Sequence, residues 1–131
     1  MANAKAIHVK EAPQFPLPFS HAVRAGDFVY VSGQVGVDPA TRQVVGDTVE
    51  AQTVQALRNI ETILKGCGLT LRHVVKVNAY LLDRSLIPAY NKAYAETMPQ
   101  PYAARTTITT DIAPYLVEID AVAYAPGELE G

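Results

Sequence analysis

The sequence predicts an α+β fold: a mixed sheet with two helices packed on one face. Three observations carry this. Val49, Thr53, Leu57, Ile60 and Leu64 recur at helical spacing, as one buried stripe. Segments 73–82 and 116–124 alternate with period two instead, as strands do. The order of elements (several strands, helix, strand, helix, strand, strand) suits helices gathered on one side of a sheet.

Taken along the chain, a short strand is expected at 6–10. Residues 12–18 hold three of the nine prolines, Pro13, Pro16 and Pro18, and must be an extended surface segment. Segments 21–25 and 28–32 form a hairpin around the tight turn Gly26-Asp27. Asp38-Pro39 marks a turn before Gly46. Asp47 then caps the first helix, with Glu50 three residues later as in a capping box. Gly66 and Gly68 stop that helix. In the strand 73–82, Val75, Val77, Ala79 and Leu81 share one face. A second helix spans 85–98, with Pro88 tolerated in its first turn. Strands at 103–110 and 116–124 follow, separated by a loop that contains Pro114.

At 131 residues the chain is read as a single domain, 1–131. Its composition, 49% hydrophobic and 18% charged, supports a core. A net charge of −2 without a basic run gives no general attraction to nucleic acid. Cys67, the single cysteine, cannot form an internal disulfide. No apolar stretch reaches membrane-spanning length, and residues 1–10 lack the apolar core of a secretory signal. These features point to a cytoplasmic protein.

Two strand faces are neither plainly core nor plainly solvent. One holds Val74, Lys76, Asn78, Tyr80 and Leu82; the other Leu116, Glu118, Asp120, Val122 and Tyr124. Such mixtures of large apolar groups and isolated charges are often covered in an assembly, so a homo-oligomer is expected. There is no glycine-rich phosphate loop and no Gly-x-Ser-x-Gly elbow. His8, His21 and His73 lack metal-ligand spacing, so each reads as a surface or hydrogen-bonded histidine and no metal is expected. Cys67 reads as a small packing residue. What remains is a strand-borne arginine with nearby carboxylates.

The C-terminal third is the most specific. Pro101-Tyr102-Ala103-Ala104-Arg105-Thr106-Thr107 and Leu116-Val117-Glu118-Ile119-Asp120-Ala121-Val122-Ala123 resemble the Pro-x-x-Ala-Arg-Thr/Ser segment and closing strand of the RidA/YjgF family. Pro18-Phe19-Ser20-His21-Ala22-Val23, Val29-Tyr30-Val31-Ser32-Gly33-Gln34 and Tyr90-Asn91-Lys92-Ala93-Tyr94 extend the resemblance in the family's order over roughly residues 18–124. It implies a chorismate-mutase-like fold and a homotrimer with a central barrel-like core and clefts between subunits. It also implies cofactor-independent hydrolysis of enamines and imines such as 2-aminoacrylate and 2-iminopropionate, giving 2-keto acids and ammonia.

The roles follow residue by residue from the resemblance. Arg105 would bind the substrate carboxylate as a two-pronged fork. Glu118 would hold and polarise the attacking water. Phe19, Ser32, Gly33, Asn91 and Thr107 match positions that line the cleft. From the residues alone, Arg105 would sooner be an interface ion-pair partner of Asp120 or Glu118; the resemblance reverses that preference. Phe19 stands where deaminases of the family commonly have tyrosine, and Thr107 where some have cysteine. The loop 111–115 departs from the family's usual stretch. The alternatives are a non-catalytic sensor of small carboxylates such as 2-keto acids and, with less support, a ribonuclease.

Overall fold

The computed structural model describes residues 1–127; the last four residues of the expected domain, 128–131, lie outside it. Six strands, β1 (Lys5–Ile7), β2 (Ala22–Ala25), β3 (Phe28–Val35), β4 (Val74–Leu81), β5 (Ala104–Thr109) and β6 (Val117–Tyr124), form one sheet in the order β1-β2-β3-β6-β4-β5. β4 and β5 are parallel, and every other neighbouring pair is antiparallel. Helices α1 (Val49–Lys65) and α2 (Ile87–Thr97) lie together on one face. The expected α+β class, mixed sheet and one-sided helices are all present.

The core sits between α1 and the sheet. Leu57, Ile60, Ile63 and Leu64 meet Val29, Val77, Leu81, Val117 and Ile119, all fully buried. Burying one such side chain is worth about 1.5–3 kcal/mol, so this layer is a main source of stability. Two buried polar residues on α1 fix the loops above it. Asn59 donates from Nδ2 to the carbonyls of Val35 and Val37, at 3.2 and 3.0 Å. Gln52 donates to the Gly46 carbonyl and accepts from the Leu116 N–H, both at 2.9 Å, which pins the start of β6.

The hairpin turn is as expected. Gly26 has φ of 60°, while Asp27 does not have positive φ, the pattern a type II′ turn requires. Asp38 also serves its turn, its Oδ1 accepting from Ala40 N at 2.8 Å and Thr41 N at 3.1 Å.

Several local expectations are corrected. The first strand is Lys5–Ile7, shifted toward the N-terminus, because only those residues pair with β2. Thr48 rather than Asp47 caps α1: its side chain accepts from Ala51 N at 3.2 Å, and the capping box is absent. A 3₁₀ turn, Arg84–Leu86, capped by Asp83, precedes α2, which therefore begins two residues late; Pro88 sits in its first turn. The largest correction concerns β4. Val75 is 43% exposed, and Val74 joins Val77, Ala79 and Leu81 on the buried face. Val74 pairs with Ala123 and Lys76 with Val122, so Val75 is the extra residue of a β-bulge that resets the alternation.

Candidate active site

The residues singled out from the sequence gather into two groups. The first lies at the end of β3. Between Val31, opposite Ala121, and Gln34, opposite Ile119, the chain inserts Ser32 and Gly33 against the single residue Asp120. This bulge shapes a pocket of about 400 Å³ lined by Phe15, Leu17, Phe19, Ser32, Gly33, Val35, Tyr115 and Glu118.

Gly33 explains how Glu118 fits. A Cβ at this position would lie 2.3 Å from Oε2 of Glu118 and 3.1 Å from its Cδ, so the carboxylate occupies the space of the missing side chain. Glu118 has no hydrogen-bond partner among the described residues. Burial, and secondarily the Asp120 charge, raise its pKa above the ordinary carboxylate value. A half-buried carboxyl whose pKa is raised in this way is a stronger base when ionised than an exposed one.

Asp120, on the same face, is fully engaged. Its Oδ1 accepts from Asn78 Nδ2 and its Oδ2 from the Tyr80 hydroxyl, each at 3.0 Å. Of the two carboxylates, Asp120 is the structural one and Glu118 the free one. Ser32 donates its hydroxyl to the Ser20 carbonyl at 2.6 Å, and its N–H bonds to the His21 carbonyl at 3.0 Å, so the loop before β2 is tied to the bulge. His21 is buried and hydrogen-bonded: Nδ1 accepts from Val9 N at 2.9 Å, which leaves Nε2 to donate to Pro13 O at 2.8 Å.

The second group lies on β5 and α2. Arg105 donates to Asn91 Oδ1 at 2.7 Å, and its guanidinium carbon stands 4.8 Å from the Tyr94 ring centre and 5.3 Å from that of Tyr90. Two tyrosine faces and one amide thus position the fork by cation–π attraction and hydrogen bonding. Burial pushes both tyrosine hydroxyls up, so they stay protonated beside the cation. Thr107, two residues on, points to the same side, and its buried Oγ1 has no hydrogen-bond partner. Sequence reasoning missed the role of Tyr90 and Tyr94, although they flank Asn91 at helical spacing. It also missed Phe15, Leu17 and Tyr115, which alternation cannot place because they lie outside strands.

Within one chain the two groups do not meet. Arg105 pairs in register with Val77, on the helix side of the sheet, whereas Glu118 pairs with Tyr80, on the open side. Two strand spacings and three residues of strand separate their backbones, roughly 14 Å, with side chains pointing to opposite faces. This also removes an intrachain Arg105–Glu118 or Arg105–Asp120 ion pair. Phe28, Tyr30, Tyr124 and Ile108 are exposed hydrophobics on strands of the same sheet.

Among the described residues no group of three His, Cys, Asp or Glu could hold a metal ion. No described helix is long and apolar enough to cross a membrane. Cys67 is half-buried, its thiol pushed up by burial, and Sγ donates to Ile63 O at 3.6 Å.

A family model described as Endoribonuclease L-PSP matches residues 9–125, nearly the whole described chain. The chain belongs to the RidA/YjgF family. Its RidA/YjgF relatives include a RutC family protein of Pyrococcus horikoshii, 37% identical over 120 residues that cover 90% of this chain and 95% of that protein. A 2-iminobutanoate/2-iminopropanoate deaminase of Dermatophagoides farinae is 32% identical over 108 residues, 82% of this chain and 84% of that protein. The crystal structure of RidA from an Antarctic Psychrobacter superposes with a TM-score of 0.86 at 34% identity, covering 92% of this chain and 98% of that one. The sheet and helices described above are thus those of a RidA/YjgF protein.

Proposed function

We propose that this chain hydrolyses reactive 2-imino acids and their enamine tautomers, of the 2-aminoacrylate/2-iminopropionate kind, to 2-keto acids and ammonia without a cofactor. The observation that carries the proposal is the pair of half-sites. A positioned arginine fork fits a carboxylate. A free, desolvated carboxyl fits a water that needs a base. Because they face opposite sides of one sheet, a complete site is formed between copies, with Arg105, Asn91 and Thr107 of one chain facing Phe19, Ser32, Gly33 and Glu118 of the next. In the homotrimer the open sheet faces build the central barrel-like core and the three clefts lie between subunits.

In the cleft Arg105 holds the substrate carboxylate. Water adds to the imine carbon as Glu118 takes its proton, and the same carboxyl returns the proton to nitrogen. The C–N bond then breaks, so that C=NH₂⁺ and H₂O become C=O and NH₄⁺. The imine carbon is already electrophilic, so orientation and one proton relay supply the needed acceleration.

The test is keto-acid release from freshly generated 2-iminopropionate. Wild type accelerates it, and Arg105→Ala and Glu118→Gln do not. Co-assembling the two variants in equal amounts pairs intact halves at about a quarter of the clefts of a head-to-tail ring. Recovery of about that share of activity supports a shared cleft. No acceleration by wild type refutes the enzyme and favours carboxylate sensing through Arg105. The RNA-cleaving alternative has less support, since His21 is committed to Val9 and Pro13 and the chain is acidic.

A further inference from the structure

One wall of the pocket beside Glu118 is apolar beyond what a three-carbon substrate uses. Leu17 is 60% exposed and Phe19 44%, yet they do not lie on a loose loop. Phe15, Leu17 and Phe19 alternate with Pro16 and Pro18, so two φ angles of five are fixed by pyrrolidine rings. Leu17 N bonds to Phe15 O at 2.8 Å and Phe19 N to Leu17 O at 2.9 Å, consecutive three-residue turns that stiffen the segment. Its base is fixed by the two-sided His21 hydrogen bonds, and Tyr115 closes the same pocket from the loop before β6.

The result is a rigid apolar comb facing a single polar corner, Glu118 with Ser32, across about 400 Å³. In the proposed cleft that space is shared between the substrate and Arg105, Asn91 and Thr107 of the neighbouring chain, and the apolar wall borders it on the Glu118 side. A preformed hydrophobic wall spares a ligand that packs on it the cost of ordering those side chains.

Resting on the deaminase reading, we infer that Phe15, Leu17 and Tyr115 select 2-imino acids with branched aliphatic or aromatic side chains over 2-iminopropionate. The reacting carbon stays at Glu118, and the substituent lies along the comb.

The test compares kcat/KM for imines generated in situ by an amino-acid oxidase from alanine, leucine and phenylalanine. Wild type is expected to favour the leucine- and phenylalanine-derived imines by about tenfold or more, the scale of a few methylenes in an apolar pocket. Leu17→Ser, on an exposed position that threatens no core, and Tyr115→Ala as a second variant, should each shrink that ratio about tenfold. Equal or reversed preference in an active wild type, or a ratio untouched by both variants, overturns the inference and leaves the deaminase reading standing. If no imine is hydrolysed, the deaminase reading falls, and calorimetric binding of 4-methyl-2-oxopentanoate against pyruvate decides the wall by itself. Tighter binding of the larger keto acid, lost in Leu17→Ser, supports it; equal or absent binding overturns it.

Discussion

Replacing Gly33 by alanine should separate the chemistry of the pocket from the stability of the fold. The new methyl would stand 2.3 Å from Glu118 Oε2 and 3.3 Å from its Cγ. Something must retreat by roughly 1 Å to restore ordinary van der Waals contact. The yielding atoms are the far end of a flexible side chain, so the sheet is spared and unfolding free energy should change by less than about 1 kcal/mol. The carboxylate is nevertheless displaced, and a misplacement of about 1 Å is worth about 10²-fold in rate. Gly36→Ala is the contrast, because its methyl would meet Cα and the backbone oxygen of Gln52 at 2.5 and 2.6 Å. Helix backbone cannot rotate away, so this variant should lose about 1–3 kcal/mol. Urea titration of both proteins and kcat on 2-iminopropionate give the two readings. Full activity in Gly33→Ala would refute the positioning of Glu118 by the absent side chain, and instability equal to that of Gly36→Ala would show that the sheet yields instead.

Other predictions concern charge and capping. If Glu118 is the base, the rate falls as pH drops through its raised pKa, and Asp120→Asn, which removes the neighbouring charge, should move that acid limb to lower pH; an unmoved limb counts against Glu118 as the titrating group. The folded chain binds the Glu118 proton more tightly than the unfolded chain, so this group's contribution to stability is fullest below the ordinary carboxylate pKa and declines as pH rises through the raised value. Glu118→Gln should therefore match or exceed wild-type Tm at pH 7, with the gain shrinking in acid, while activity is lost; a lower Tm at pH 7 contradicts the burial penalty. Thr48→Ala should cost about 1 kcal/mol in urea unfolding and Asp47→Ala less than about 0.5 kcal/mol, and the reverse order would return the cap to Asp47.

The helices and the buried face of β6 were legible because Leu57, Ile60 and Leu64, and Val117, Ile119, Ala121 and Ala123, keep a strict period and are buried as that period demands. The face of β4 was misread at Val75 because a bulge leaves no mark on an apolar run Val74-Val75 that suits either phase. The cap was misplaced by one residue because Asp47 and Thr48 are both good capping types, and only the geometry of Ala51 N decides between them. The candidate site was legible as a set of residues through the family resemblance, but not as a geometry. In β5 the only large apolar residue, Ile108, lies on the face opposite Arg105 and is exposed, so alternation could not tell that Arg105 faces the helices while Glu118 faces the open side.

The two bulges make the sheet unequally tolerant of a shortened chain. Deleting Val75 would leave Val74 opposite Ala123 and Lys76 opposite Val122, a regular ladder with every later residue still on its own face. The same edit at Ser32 or Gly33 would also restore a regular ladder, between Val31 at Ala121 and Gln34 at Ile119. There, however, it would close the space that Glu118 fills. One irregularity is an insertion the fold merely absorbs, while the other is an insertion on which the pocket depends, and lineages that drop a residue at each should part company in what they can still do.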